Sequence, residues 1–206
     1  MTPATHNSMT FLKPVKWYYK IFRFMVQCQS LDILDQIKQG VKLFDLRIVF
    51  DENSQPHFAH GLVDFDEEHT SDIWTVEHTL ETLNMFSLVD SKSGGSGFHV
   101  RILNERNTNY EKFKEFCQHI ESTYTHLNFF GGINKKDWKC LYQFKTNPDK
   151  PVIDKYSSQN NDTPLGTGWH LDDLFPRISA LCFNKYWRKK YKDDDIYLLQ
   201  DFVGKY

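Results

Sequence analysis

Apolar positions along this chain change period repeatedly, between the alternation of a strand and the three-to-four spacing of a helix. Segments 40–50 (GVKLFDLRIVF), 97–106 (GFHVRILNER), 138–144 (WKCLYQF) and 195–203 (DIYLLQDFV) are short and β-branched or aromatic, with Gly, Asn or Asp at their borders. That pattern predicts strands, with weaker signals at 56–61 and 151–157. Helical spacing runs over 30–40, with Ser30 as N-cap and Gly40 as stop, and over 75–89, 109–124 and 170–192. Strands alternating with helices predict an α/β protein with a largely parallel sheet in a single domain spanning 1–206. Polar loops are expected at 91–97 (SKSGGSG) and 157–168 (SSQNNDTPLGTG).

Composition narrows the classes of function. Lys and Arg total 25 against 27 Asp and Glu, so no cationic excess is available to attract a polyanion and no nucleic-acid partner is expected. No apolar run approaches the ~20 residues of a membrane span, and the first residues lack a secretory pattern. A soluble monomer is expected, with its compartment left open. Cys28, Cys117, Cys140 and Cys182 form no CxxC pair, which predicts isolated thiols rather than a zinc ribbon or redox motif.

Charge inside predicted strands is the informative feature. In LFDLRIVF, Phe44, Leu46 and Ile48 share one face while Asp45 and Arg47 share the other. A parallel strand covered by helices is ordinarily apolar on both faces, so charge in its middle calls for a reason. In a (β/α) barrel, inward residues near the C-terminal strand ends build the active site. Arg101 and Glu105 alternate the same way in HVRILNER, Asp201 ends the last predicted strand, and His60 stands before a glycine.

With ATHNS at 4–8, Gln29, DQIKQGVKLFDLRI at 35–48 and HFAHG at 57–61, the chain resembles the catalytic X domain of phosphatidylinositol-specific phospholipases C over roughly its first third. The resemblance implies a distorted (β/α)8 TIM barrel, complete or short of one or more helices, since 206 residues fall below the ~250 typical of that fold. It implies cleavage of a lipid phosphodiester through attack by an adjacent hydroxyl, giving a cyclic phosphate. By similarity His6 is the base oriented by Asp201, His60 the acid supported by Asp45, and Arg47 the phosphate clamp. Imidazoles suit the two proton transfers, and a guanidinium matches phosphate oxygens.

Arg47 stands where the calcium-dependent branch of that family has an acid, so no metal is expected; the alternative is Ca²⁺ held by Asn7, Asp45 and Glu105. Asn7, Arg101, Glu105 and Lys145 are candidate substrate-binding residues. The remaining histidines, 57, 69, 78, 99, 119, 126 and 170, read as surface or packing residues. Trp17, Tyr18 and Tyr19, interleaved with Lys and Arg, fit peripheral contact with a membrane or simple packing. The expected partner is a phospholipid substrate. Two other functions fit less well. A glycerophosphodiester- or sphingomyelin-type phosphodiesterase would carry His-Arg-Gly and Glu-x-Asp patterns absent here, and a catalytically silent barrel binding headgroups would not need both histidines.

Overall fold

A computed structural model describes residues 1–67, 73–106, 108–131, 142–154 and 176–204. In chain order the elements are β1 (Thr2–Thr5), β2 (Lys13–Pro14), α1 (Trp17–Ile21), α2 (Arg23–Val26), α3 (Ile33–Lys38) and β3 (Leu43–Phe50). They continue with β4 (Pro56–His60), β5 (Val63–Asp66), α4 (Val76–Lys92), β6 (Phe98–Asn104), α5 (Tyr110–Thr123), β7 (Leu127–Phe130), β8 (Val152–Asp154), α6 (Pro176–Lys190) and β9 (Tyr197–Gln200).

Six strands run parallel in the order β7-β6-β3-β1-β9-β8. Past the point where β1 ends, β3 continues and pairs antiparallel with β4, which pairs with β5, and β5 with β2. The sheet has two chemically different faces, as the alternation in β3 predicts. Phe44, Leu46 and Ile48 pack outward into one buried cluster with Leu80 and Leu83 of α4 and Phe113, Cys117 and Ile120 of α5. Leu43 faces inward and meets Ala4, Phe130, Tyr197 and Leu199.

That inner cluster also shows how strongly the sheet curls. Phe130 lies on the β7 edge, yet it shares a cluster with Tyr197 and Leu199 of β9 and Val152 of β8. Likewise His99 of β6 reaches Asp149, just ahead of β8, at 2.9 Å. Among the described residues no strand pairing joins β7 to β8, so this is a mixed α/β fold with a curled sheet whose closure into a full barrel is not shown.

Three expectations change on contact with the structure. The helix at 30–40 is capped by Asp32, whose carboxylate accepts the Asp35 amide at 2.8 Å, and not by Ser30. The strand expected at 138–144 lies outside the described residues up to 141, and Tyr142 and Phe144 are instead packed ring against ring beside Phe129. The segment from Trp17 forms two short helices with no buried residue, so Trp17 and Tyr18 are exposed while Tyr19 is partly covered. Thr75 does cap α4, accepting from the His78 amide at 3.2 Å. No helix among the described residues is long and apolar enough to cross a membrane.

Leu46 is fully buried between sheet and helices, where truncation removes transfer energy and opens a cavity. Leu46→Ala is expected to lower unfolding stability by about 2–5 kcal/mol in urea titration. Val89→Ala on the exposed side of α4 should cost no more than about 0.5 kcal/mol.

Candidate active site

The inner face turns from apolar to charged two residues beyond Leu43, at Asp45. Asp45 is fully buried, and three donors reach its carboxylate: Arg101 Nε at 2.8 Å, the Asn7 backbone amide at 2.9 Å and Arg47 Nε at 3.4 Å. Burial by itself would raise the Asp45 pKa, and the Arg101 and Arg47 guanidiniums overcome it, holding the carboxyl far below the usual range. Burial would likewise lower the pKa of Arg47, and the charges of Glu105 and Asp45 reverse that.

His6 sits directly beyond β1, where the chain makes two abrupt turns around it. Asn7 adopts a left-handed backbone with φ 46°, which Asn tolerates, and Ser8 is stitched to β3 through its hydroxyl and its amide. Gln29 holds the other side: its side-chain amide donates to the carbonyls of His6 and Gln200, tying the end of β1 to the end of β9. Asp201 follows β9 and is itself followed by Phe202 at φ 49°, a conformation a bulky side chain rarely takes. Two site residues thus stand at strand ends, each pinned by a strained neighbour.

The imidazole of His6 is held from both nitrogens. Nδ1 lies 2.9 Å from Asp201 Oδ1, so that nitrogen carries the proton, and Nε2 accepts from Arg47 Nη2 at 2.6 Å. Arg47 extends further to Glu105, with Nη1 at 3.2 Å from Oε1. The same Glu105 oxygen accepts from the Gly61 amide at 2.7 Å, and Gly61 needs its left-handed φ of 58° to make the turn after His60. His60 donates from Nδ1 to the Val26 carbonyl at 2.9 Å, which leaves Nε2 as its lone-pair nitrogen. Burial, and next the charge of Arg47, push the His60 pKa down to about 4; Glu105 and His6 are the other side chains acting on it.

A wide groove lies elsewhere. It encloses about 860 Å³ along β4 and β5, and Asp51, Glu52, Asp64, Asp66, Glu67 and Glu77 line it. Six carboxylates facing Arg106 and His57 would repel a phosphodiester, so the His6–Arg47–His60 cluster is the stronger candidate for phosphate chemistry.

No family model matches the chain, and no curated protein matches its sequence. Solved structures do match. The phosphatidylinositol-specific phospholipase C of Listeria monocytogenes aligns with a TM-score of 0.62 at 16% identity, over 99% of this chain and 88% of that one. The Staphylococcus aureus phosphatidylinositol-specific phospholipase C aligns with a TM-score of 0.60 at 14% identity, over 100% and 86%. The chain has the phosphatidylinositol-specific phospholipase C fold. At these identities the likeness is one of fold, and the chemistry rests on the residues themselves.

Within this phospholipase C fold, the sequence-predicted His6, Asn7, Asp45, Arg47, Arg101, Glu105 and Asp201 meet in one network, and His60 joins it through Glu105 and Gly61. Two expected roles are corrected. Asp45 does not support His60; its oxygens are taken by the two arginines and the Asn7 amide, and His60 leans on Val26 instead. Lys145 is not part of the network, since its exposed amine lies 3.8 Å from Glu121 at the end of α5. Arg101 is 2% exposed and holds Asp45, which makes it a positioning residue.

The alternative calcium set fits poorly, because Asp45 and Glu105 already receive guanidinium donors where a divalent ion would need them. Gln29, a letter of the quoted motif, and Cys28, read from the sequence as an isolated thiol, also belong to the site. Of the other histidines, His69 and His170 lie outside the described residues, and His99 is a buried packing residue against Tyr197.

A histidine held near 4 when folded and about 6.5 when unfolded binds fewer protons in the native state between those values. Stability is therefore full above about pH 6.5 and falls as pH drops toward 4, by on the order of 3 kcal/mol from this group. Urea unfolding at pH 7 and pH 4.5 should show that His60→Gln loses much less stability on acidification than the unmutated protein.

Proposed function

We propose that this chain is a metal-independent phosphodiesterase of the phospholipase C type, acting on phosphatidylinositol or a related inositol lipid. The observation that carries the reading is His6 held between Asp201 on Nδ1 and Arg47 on Nε2, with His60 on the same guanidinium's field. A bound phosphodiester anion draws Arg47 off His6, because a guanidinium pairs more strongly with phosphate oxygens than with a neutral imidazole. Nε2 is then free to take the proton of the adjacent inositol hydroxyl, and Asp201 stabilises the imidazolium that results. Arg47 balances the charge building on phosphorus. The same anion offsets the Arg47 charge that, after burial, lowers the His60 pKa, so its Nε2 can acquire a proton and deliver it to the leaving oxygen.

The surface beside the site supports a lipid substrate. Trp17 is 71% exposed and Ile21 62%, with Phe22 and Phe24 also open to solvent, and Lys16, Lys20 and Arg23 are interleaved among them. Aromatics and aliphatics rimmed by cations suit an anionic bilayer surface. Val26, the last residue of this helix pair, is the one that holds His60. One of the matched structures concerns the membrane binding of the S. aureus enzyme, which agrees with such a docking face.

Incubation with phosphatidylinositol vesicles, followed by phosphorus NMR, should show release of inositol cyclic phosphate that persists in the presence of a chelator. His6→Ala and His60→Ala should each reduce the rate by roughly 10²–10⁴ while circular dichroism stays native. Release only on adding Ca²⁺ would overturn the metal-independent reading, and normal rates in either variant would remove that histidine from the reaction. Trp17→Ala should weaken sedimentation with anionic vesicles and leave hydrolysis of a soluble inositol phosphodiester unchanged; unaltered vesicle binding would exclude this face.

A further inference from the structure

One nucleophilic group in the site has no part in the proposed reaction. Cys28 is 1% exposed, and its thiol lies 3.8 Å from the Val26 carbonyl; burial, and next the charge of the Asp201 carboxylate that also holds His6, raise its pKa. One ligand atom each from His6, Cys28 and Asp201 can be chosen so that all three lie within 4.8 Å of one another. A tetrahedral zinc with bonds of ~2.0–2.3 Å places its ligand atoms roughly 3.3–3.8 Å apart, so only small side-chain shifts are needed. One nitrogen, one sulfur and one oxygen form a donor set for a borderline-soft cation, and the thiolate disfavours Ca²⁺ and Mg²⁺.

Charge in the cluster points the same way. Asp45, Glu105 and Asp201 bring three carboxylates against the two guanidiniums of Arg47 and Arg101, a sum of minus one with the histidines neutral. A divalent ion together with one new thiolate brings that sum to zero. Arg47 lies on the Nε2 side of the His6 ring and the carboxylate on the Nδ1 side, so an ion at Nδ1 is separated from the guanidinium by the ring.

We propose that His6, Cys28 and Asp201 form a binding site for Zn²⁺ or a similar borderline-soft divalent cation, completed by water, and that filling it switches His6 off. The ion bonds Sγ, whose proton leaves to solvent, an Asp201 oxygen, and Nδ1, whose proton moves to Nε2. The ring then has no lone pair at Nε2 to accept a substrate proton, and its new N–H opposes the N–H of Arg47. The switching clause rests on the function proposed above; binding of the ion does not.

Co²⁺ added to chelator-treated protein is the direct test, because thiolate-bound tetrahedral Co²⁺ gives a near-ultraviolet charge-transfer band. The band should appear at one equivalent, persist in Cys182→Ser, which removes an exposed thiol, and vanish in both Cys28→Ser and Cys28→Ala. Competing Zn²⁺ should erase it, and its affinity by calorimetry should fall at least the ~10–100-fold that losing even an outer partner costs. No band in the unmutated protein, or a band that survives both Cys28 variants, would overturn the site. These readouts need no lipase activity, so an inactive protein with the band defeats only the proposed function. In active protein, Zn²⁺ at a concentration that fills the site should stop cyclic-phosphate release and a chelator should restore it; unchanged release would overturn the switch.

Discussion

A single carboxylate without solvent contact organises the inner face of this sheet. Asp45 takes Arg101 on one oxygen and Arg47 with the Asn7 amide on the other. A buried charge is tolerated only when paired and hydrogen-bonded, and these three donors come from β6, from β3 itself and from the turn after β1. Removing the carboxylate would leave two guanidiniums facing each other in a closed space. The register of three strands and the placement of Arg47 therefore depend on one group.

Above this charged layer the geometry around His6 and His60 follows. Arg47 reaches both His6 and Glu105, and Glu105 in turn accepts the Gly61 amide behind His60. Below it, Ala4, Leu43, Phe130, Tyr197 and Leu199 fill the interior as an apolar plug. The ordering of layers, apolar near the strand starts and ionic near their ends, is what a barrel-like sheet uses to keep its site at the C-terminal rim. Strained backbone at Asn7 and Phe202 occurs where strands β1 and β9 deliver His6 and Asp201, and the hydrogen bonds of Ser8 and Gln29 hold that strain in place.

Much of this was legible along the chain because strand alternation is a local property. Phe44, Leu46 and Ile48 pack on α4 and α5, and Asp45 and Arg47 point away from them, as period two requires. Arg101 and Glu105 obey the same rule in β6. The failures were those of partnership and not of position. Asp45 looked like a support for His60, yet two arginines claim it first, since an ion pair in a buried layer outweighs a hydrogen bond to a neutral ring. Lys145 looked like a reach into the site, and Glu121 at the end of α5 holds it elsewhere. Ser30 was a reasonable cap, but α3 begins later and Asp32 is the residue in place for the Asp35 amide.

By itself, then, the sequence determined strands β3, β4, β6, β8 and β9 though not β1, β2, β5 or β7, which face of β3 and β6 would be charged, and which residues had chemistry to offer. Period and propensity act over a few neighbours and need no knowledge of the rest of the chain. Only the tertiary structure decided who meets whom: His6 and Asp201 are 195 positions apart, and Cys28 enters the site because Gln29 and Phe202 tie the connection between α2 and α3 to β1 and β9. Such pairings depend on how far the sheet curls and where each strand stops, and no local pattern encodes a distance through space.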